Sequence, residues 1–196
     1  HTWEFMRRNF EGDHRDTVYV SANPQLGLIR GNFAEVYYVW EDHWDEDKKT
    51  VLPSEVTKVA KKAAREHPNK KLVVHYMQPH WPYVARIDES WELAYPDLGP
   101  WQNGGEEIAG MQVAMARGKI DVKRAYRAYR ASVRSIWRTL LPAIESWVAD
   151  GNTVVVTADH GEVFGTLGDA TMYEHPCKVG IRPLTAVPWV EFERSR

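Results

Sequence analysis

The sequence predicts an α/β fold, with three layers in the order α/β/α around a mainly parallel central sheet. Three observations carry that expectation. Apolar runs of strand length alternate with stretches of helical periodicity along the chain, and strands separated by helices pair in parallel. The run Val154-Val155-Val156 shows no polar alternation, which reads as a central strand covered on both faces. Two of the strands end in His- and Asp-bearing loops, the place where open α/β sheets put their binding crevice.

Taken in order, Thr2 to Phe10 reads as an amphipathic helix, followed by strands at Thr17 to Ala22 and Ala34 to Trp40. The acidic run Glu41-Asp42-His43-Trp44-Asp45-Glu46-Asp47 lacks the glycine and the regular oxygen spacing of a calcium loop. It reads as a solvated loop. Pro53-Ser54-Glu55 opens a helix reaching about His67, with Val56, Val59, Ala60 and Ala63 on its inner face and its lysines in solvent. The next strand starts at Lys71 and stops near Met77, because Pro79 and Pro82 forbid further ladder bonding.

Ala85 to Gly105 reads as an irregular excursion carrying Trp91, Tyr95, Trp101 and the Gly104-Gly105 turn; its tryptophans fill a secondary core or wall a substrate site. A long helix follows from Asp121 to about Ala149, kinked at Pro142. One face repeats Tyr126, Tyr129, Val133, Ile136, Trp137, Leu140, Ile144 and Val148, and the other carries Lys123, Arg124, Arg127, Arg130, Arg134 and Arg138. Because the aromatics follow the buried stripe, the basic face reads as solvated and no nucleic-acid partner is expected. A last strand, Ala186 to Phe192, would close the sheet.

With 196 residues and 43% hydrophobic content, the chain is expected to form one domain over residues 1–196. A net charge of −2 gives no general case for nucleic acid or an anionic membrane. No apolar run approaches the roughly 18 residues that span a bilayer, so no membrane partner is expected. A single cysteine, Cys177, excludes a disulfide within the chain and points to a cytoplasmic setting.

The chemistry gathers at strand ends. Asp159-His160 follows the valine run, and ionised Asp with neutral imidazole supplies the oxygen and nitrogen donors that suit a divalent ion. Taken as an isolated pair, the same residues are equally a turn cap and a packed ring. His80 stands in a proline-bracketed turn after the second strand, and His175 precedes Pro176 a short loop after Asp159-His160.

At these residues the chain resembles the alkaline phosphatase and sulfatase superfamily. Val154-Val155-Val156-Thr157-Ala158-Asp159-His160-Gly161-Glu162 is similar to that superfamily's metal-binding segment, and His75-Tyr76-Met77-Gln78-Pro79-His80-Trp81-Pro82-Tyr83 to its upstream histidine turn. Ser21-Ala22-Asn23-Pro24, Glu174-His175-Pro176 and Val187-Pro188-Trp189 match archaeal sulfatase-like proteins in the same order.

The resemblance implies an alkaline-phosphatase-like domain whose first strand, with its nucleophile and acidic ligands, lies upstream of His1. This chain would then be the larger, C-terminal part. It also implies a metal-dependent hydrolase or transferase acting on a small-molecule or glycan sulfate or phosphate ester. Asp159, His160 and His175 would hold a divalent ion (zinc, manganese or calcium), and His80 would contact the ester oxygens or protonate the leaving group. Asn23 and Thr157 would floor the substrate crevice. Cys177 lacks a proline two places on and so departs from the sulfatase nucleophile motif. The alternatives are a noncatalytic relative serving as a binding module and a basic-helix nucleic-acid binder.

Overall fold

Residues Thr17 to Ser21 form a deeply buried strand segment, and the reason lies in two apolar faces rather than one. In strand β1 (Gly12–Ser21), Val18 and Val20 point to one side and Tyr19 to the other, all three 0–1% exposed. Val18, Val20 and Ala22 pack on Val56, Ala60 and Ala63 of helix α3 (Pro53–Glu66). Tyr19 packs on Met6 of helix α1 (Thr2–Phe10) and on Leu26. Burying each valine contributes about 1.5–3 kcal/mol. β1 is therefore the strand covered on both faces.

The computed structural model describes residues 1–88, 90–95, 111–167 and 170–194. Among them the fold is mixed α/β with a small parallel sheet of three strands, ordered β2-β1-β5, where β2 is Gly31–Tyr38 and β5 is Lys71–His75. The registers pair Tyr19 with Val73 and Ser21 with His75. The chain after Tyr38 turns at once into a short helix, α2 (Val39–His43), so the second strand ends earlier than its apolar pattern suggests.

The acidic run is not an open loop. Its Trp44–Asp45 strand, β3, pairs with β4 (Thr50–Val51). Asp45 accepts from the backbone N–H groups of Asp47 and Lys48 and pairs with the Lys48 ammonium. The carboxylate is thus occupied by the turn itself.

The excursion is partly regular: β6 (Val84–Ile87) and β7 (Ser90–Leu93) make a hairpin. Trp91 is buried, and Tyr95 packs on a second core formed by Tyr83, helix α4 (Met111–Ala116) and the start of helix α5 (Val122–Ala149). Trp101 and Gly104-Gly105 lie outside the described residues. Asp121 caps α5 through the Lys123 N–H, and the helix runs through Pro142 without a break in its span.

The valine run forms β8 (Val154–Thr157), which differs from expectation. Its ladder partner is the antiparallel β11 (Trp189–Phe192), in a two-stranded sheet separate from β2-β1-β5. Val155 is 38% exposed and Trp189 69% exposed, so one face of that pair is open. The final strand closes onto β8 rather than onto the parallel sheet. An antiparallel hairpin, β9 (Val163–Leu167) with β10 (Ala170–Glu174), stands where the sequence suggests a loop. Among the described residues no helix is long and apolar enough to cross a membrane.

Candidate functional site

His75 closes β5 at the level of Ser21, and its Nδ1 meets the Tyr19 hydroxyl at 3.1 Å. Five residues on, the turn through Met77 and Pro79 presents His80, whose N–H donates to the Met77 carbonyl at 2.9 Å. From the other side, β8 delivers Asp159 and His160. The Asp159 carboxylate accepts from the His160 N–H at 3.0 Å, which turns the chain sharply at the strand end.

Gly161 is required at that turn. A Cβ there would lie 2.0 Å from the Pro183 carbonyl oxygen of helix α6 (Arg182–Thr185), and its N–H donates to the Leu184 carbonyl at 2.9 Å. Glycine lets the two backbones approach, and the approach holds the Asp159-His160 turn in place.

The β9–β10 hairpin then decides where His175 goes. Glu174 pairs with Val163 at the last ladder position, and one further step along antiparallel strands sets His175 opposite Glu162. Their side chains meet with Nδ1 to Oε1 at 3.0 Å. The His175 ring stacks on His160 with centroids 4.2 Å apart and stands edge-on to His80 at 5.1 Å. His80, His160, His175, Asp159 and Glu162 are thereby gathered in one cluster. The start of α1 reaches it too, since Thr2 Oγ1 lies 3.2 Å from His160 Nε2.

Hydrogen bonding sets the imidazole tautomers. His160 Nδ1 lies 2.9 Å from the Gly161 carbonyl, and His80 Nδ1 meets the Trp81 carbonyl. A carbonyl only accepts, so both rings carry their proton on Nδ1 and present a lone pair at Nε2. Burial pushes the pKa of His75, His80, His160 and His175 below the ordinary value. Burial also works against the Asp159 carboxylate, but the adjacent His160, the Thr2 hydroxyl and His75 outweigh it and hold its pKa low. Glu162 is pushed up to about 7, chiefly by burial, and Glu174 likewise to about 7 by burial and then by the charge of Glu162.

One contact tests whether these residues fit a cation. Asp159 Oδ2 and His160 Nε2 are 3.4 Å apart. An ionised carboxylate and an imidazole lone pair at that distance need a hydrogen-bond donor or a cation beside them, and the Thr2 hydroxyl is one such donor. Two donors each about 2.0–2.1 Å from one tetrahedral ion are separated by about 3.4 Å. The pair therefore fits a shared divalent ion in donor chemistry and spacing. Among the described residues no three His, Cys, Asp or Glu side chains surround a common point, so His175 does not complete a three-ligand set in this geometry.

Asn23 and Thr157 are engaged elsewhere. Asn23 Oδ1 accepts from the Gln25 N–H and caps the short 3-10 helix Pro24–Leu28, while Thr157 Oγ1 donates to the Pro188 carbonyl at 2.8 Å. The Asn23 side-chain oxygen and the Thr157 hydroxyl are each bonded to backbone, one within its own turn and the other just ahead of β11.

Glu162 and Thr2 are the site residues that sequence reasoning passes over. The signal for Glu162 is the pair of closely spaced strand-like runs at 163–167 and 170–174, whose antiparallel register sets positions 162 and 175 opposite each other. A cavity of about 440 Å³, lined by His1, Trp3, Leu28 and Cys177 among others, lies on the His1 side of the cluster. The His1 ring is 5.8 Å from that of His175. No protein family, characterised protein or solved structure matches the chain.

Proposed function

We propose that the chain is a metal-dependent hydrolase or transferase of sulfate or phosphate esters, related to the alkaline phosphatase and sulfatase superfamily and its three-layer α/β/α arrangement. The observation that supports this reading best is the 3.4 Å contact between Asp159 Oδ2 and His160 Nε2. Asp159 and His160 would hold the ion, and His175, fixed by Glu162, stands beside them as the next nitrogen donor. When bound, zinc, manganese or calcium would supply positive charge beside the ester oxygens, where negative charge accumulates.

His80 has a different part. Its Nδ1 proton is engaged with the Trp81 carbonyl and burial keeps the ring neutral near pH 7, so Nε2 enters as a proton acceptor. It takes the proton of the attacking group and can return it to the departing oxygen. The cavity beside His1 offers apolar walls, Trp3 and Leu28, to the organic part of a small-molecule or glycan ester.

The deciding experiment measures zinc, manganese and calcium binding calorimetrically and follows hydrolysis of p-nitrophenyl phosphate and p-nitrophenyl sulfate before and after chelation. Chelator-sensitive turnover of either ester supports the reading. Turnover indifferent to chelators sinks it. A noncatalytic binding module is the second reading, favoured by the lack of a three-ligand group among the described residues. That reading predicts no turnover of either ester with any of the three ions.

A further inference from the structure

Helix α5 carries Lys123, Arg124, Arg127, Arg130, Arg134 and Arg138 against one acidic residue, Glu145, in a chain whose net charge is −2. Five of these cations, Lys123, Arg127, Arg130, Arg134 and Arg138, are exposed. At 100° per residue they fall within about 80° of one another, and the stripe is about 22 Å long at 1.5 Å per residue. None of the five is in an ion pair among the described residues. Such a stripe holds five like charges together with no internal compensation.

The aromatics do not all keep to the buried side. Tyr126 is 46% exposed at the edge of the stripe, with the Arg130 guanidinium 5.8 Å from its ring centroid, and Val133 beside it is 38% exposed. This departs from the separation of aromatic and basic faces that the sequence suggests.

We propose that this face of α5 binds the phosphate backbone of a nucleic acid. Four of the five cations are arginines, whose planar fork takes two phosphate oxygens at once where lysine offers a point charge. The exposed Tyr126 ring beside them is a stacking surface for a sugar or base. A lipid surface fits less well. The apolar side of α5, including Ala125, Ala128, Ile136 and Ile144, is buried in the fold and cannot enter a bilayer. The proposal rests on α5 alone and is independent of the ester-hydrolase reading.

The test is fluorescence anisotropy of a labelled 20-base-pair DNA duplex with the full chain across a salt series. Five phosphate contacts give a log–log salt slope of roughly −4 to −5, a loss of several hundred-fold in affinity between 50 and 200 mM salt. Arg134→Gln alone should reduce the slope by about one. The combined Lys123, Arg127, Arg130, Arg134 and Arg138→Gln variant should bind at least 100-fold more weakly at low salt. Because all five side chains are exposed, its melting curve should match the wild type. A flat salt dependence, wild-type affinity in the combined variant, or tighter binding to a heparin oligosaccharide or phosphatidylserine vesicles than to the duplex would overturn the proposal.

Discussion

The His175 imidazole lies nearly flat on that of His160, with centroids 4.2 Å apart and planes 29° from parallel, while Glu162 holds its Nδ1 at 3.0 Å. The strand end of β8, the Gly161 turn and the β9–β10 hairpin register follow one another along the chain and together set that contact. Metal-bound histidines are ordinarily oriented by a carboxylate or carbonyl on the far nitrogen, and Glu162 would stand in that relation to His175 if the proposed ion drew that ring in as a further ligand.

Removing that support should weaken zinc binding without unfolding the protein. Glu162→Ala is expected to lower zinc affinity by roughly 10–100-fold, and Glu162→Gln, which keeps an acceptor oxygen, by less. Competition with a chromophoric chelator reads both. Equal affinity for wild type and Glu162→Ala removes Glu162 from the site.

Asp159 and His80 should separate ligand from proton acceptor. Asp159→Ala deletes the anionic donor and should abolish both zinc binding and ester turnover. His80→Ala should keep the metal and lower turnover by roughly two to four orders of magnitude. Calorimetry and p-nitrophenyl ester kinetics on the same samples decide the matter, and equal metal loss in both variants contradicts this division.

Glu162 also sets a pH dependence in the metal-free protein. Its folded pKa of about 7 lies above the ordinary value of 4.5. A raised carboxyl pKa favours folding while the group is protonated, and that contribution is lost as pH rises from about 4.5 through about 7. The span is worth about 3 kcal/mol at 1.36 kcal/mol per pKa unit. The buried histidines, with lowered pKa values, act oppositely as pH falls below 6.5, and they are present in both wild type and Glu162→Gln, with His80 lowered further in the variant by loss of the Glu162 charge. The difference in urea stability between the two should therefore grow across that window, to the detriment of the wild type. Parallel profiles would remove Glu162 as the cause.

Gly161→Ala should strain the turn that positions Asp159 and His160, since the new methyl meets the Pro183 carbonyl. Overpacking of this kind costs about 1–3 kcal/mol, a fall of roughly 2–12 °C in Tm for a chain of this size. Differential scanning calorimetry measures it. An unchanged Tm means that α6 moves aside without resistance.

Local pattern alone determined much of this protein. The α1, α3 and α5 helices follow from apolar spacing, the capping Asp121 and the opening Pro53. The stop after β5 follows from prolines that cannot donate to a ladder. His80, Asp159, His160 and His175 stood out as site candidates because imidazole and carboxylate at strand ends are conspicuous one residue at a time.

Tertiary structure decided what required knowing a neighbour. Three consecutive valines say that a strand is apolar but not which strand lies beside it, and β8 took β11 while Tyr19 and its valine neighbours in β1 occupied the centre of the parallel sheet. Asn23 and Thr157 are polar at strand ends, yet nearer backbone groups claimed their hydrogen bonds. Glu162 gained its role only when antiparallel pairing brought position 175 across from it, because register is a relation between two segments and is written in neither one alone.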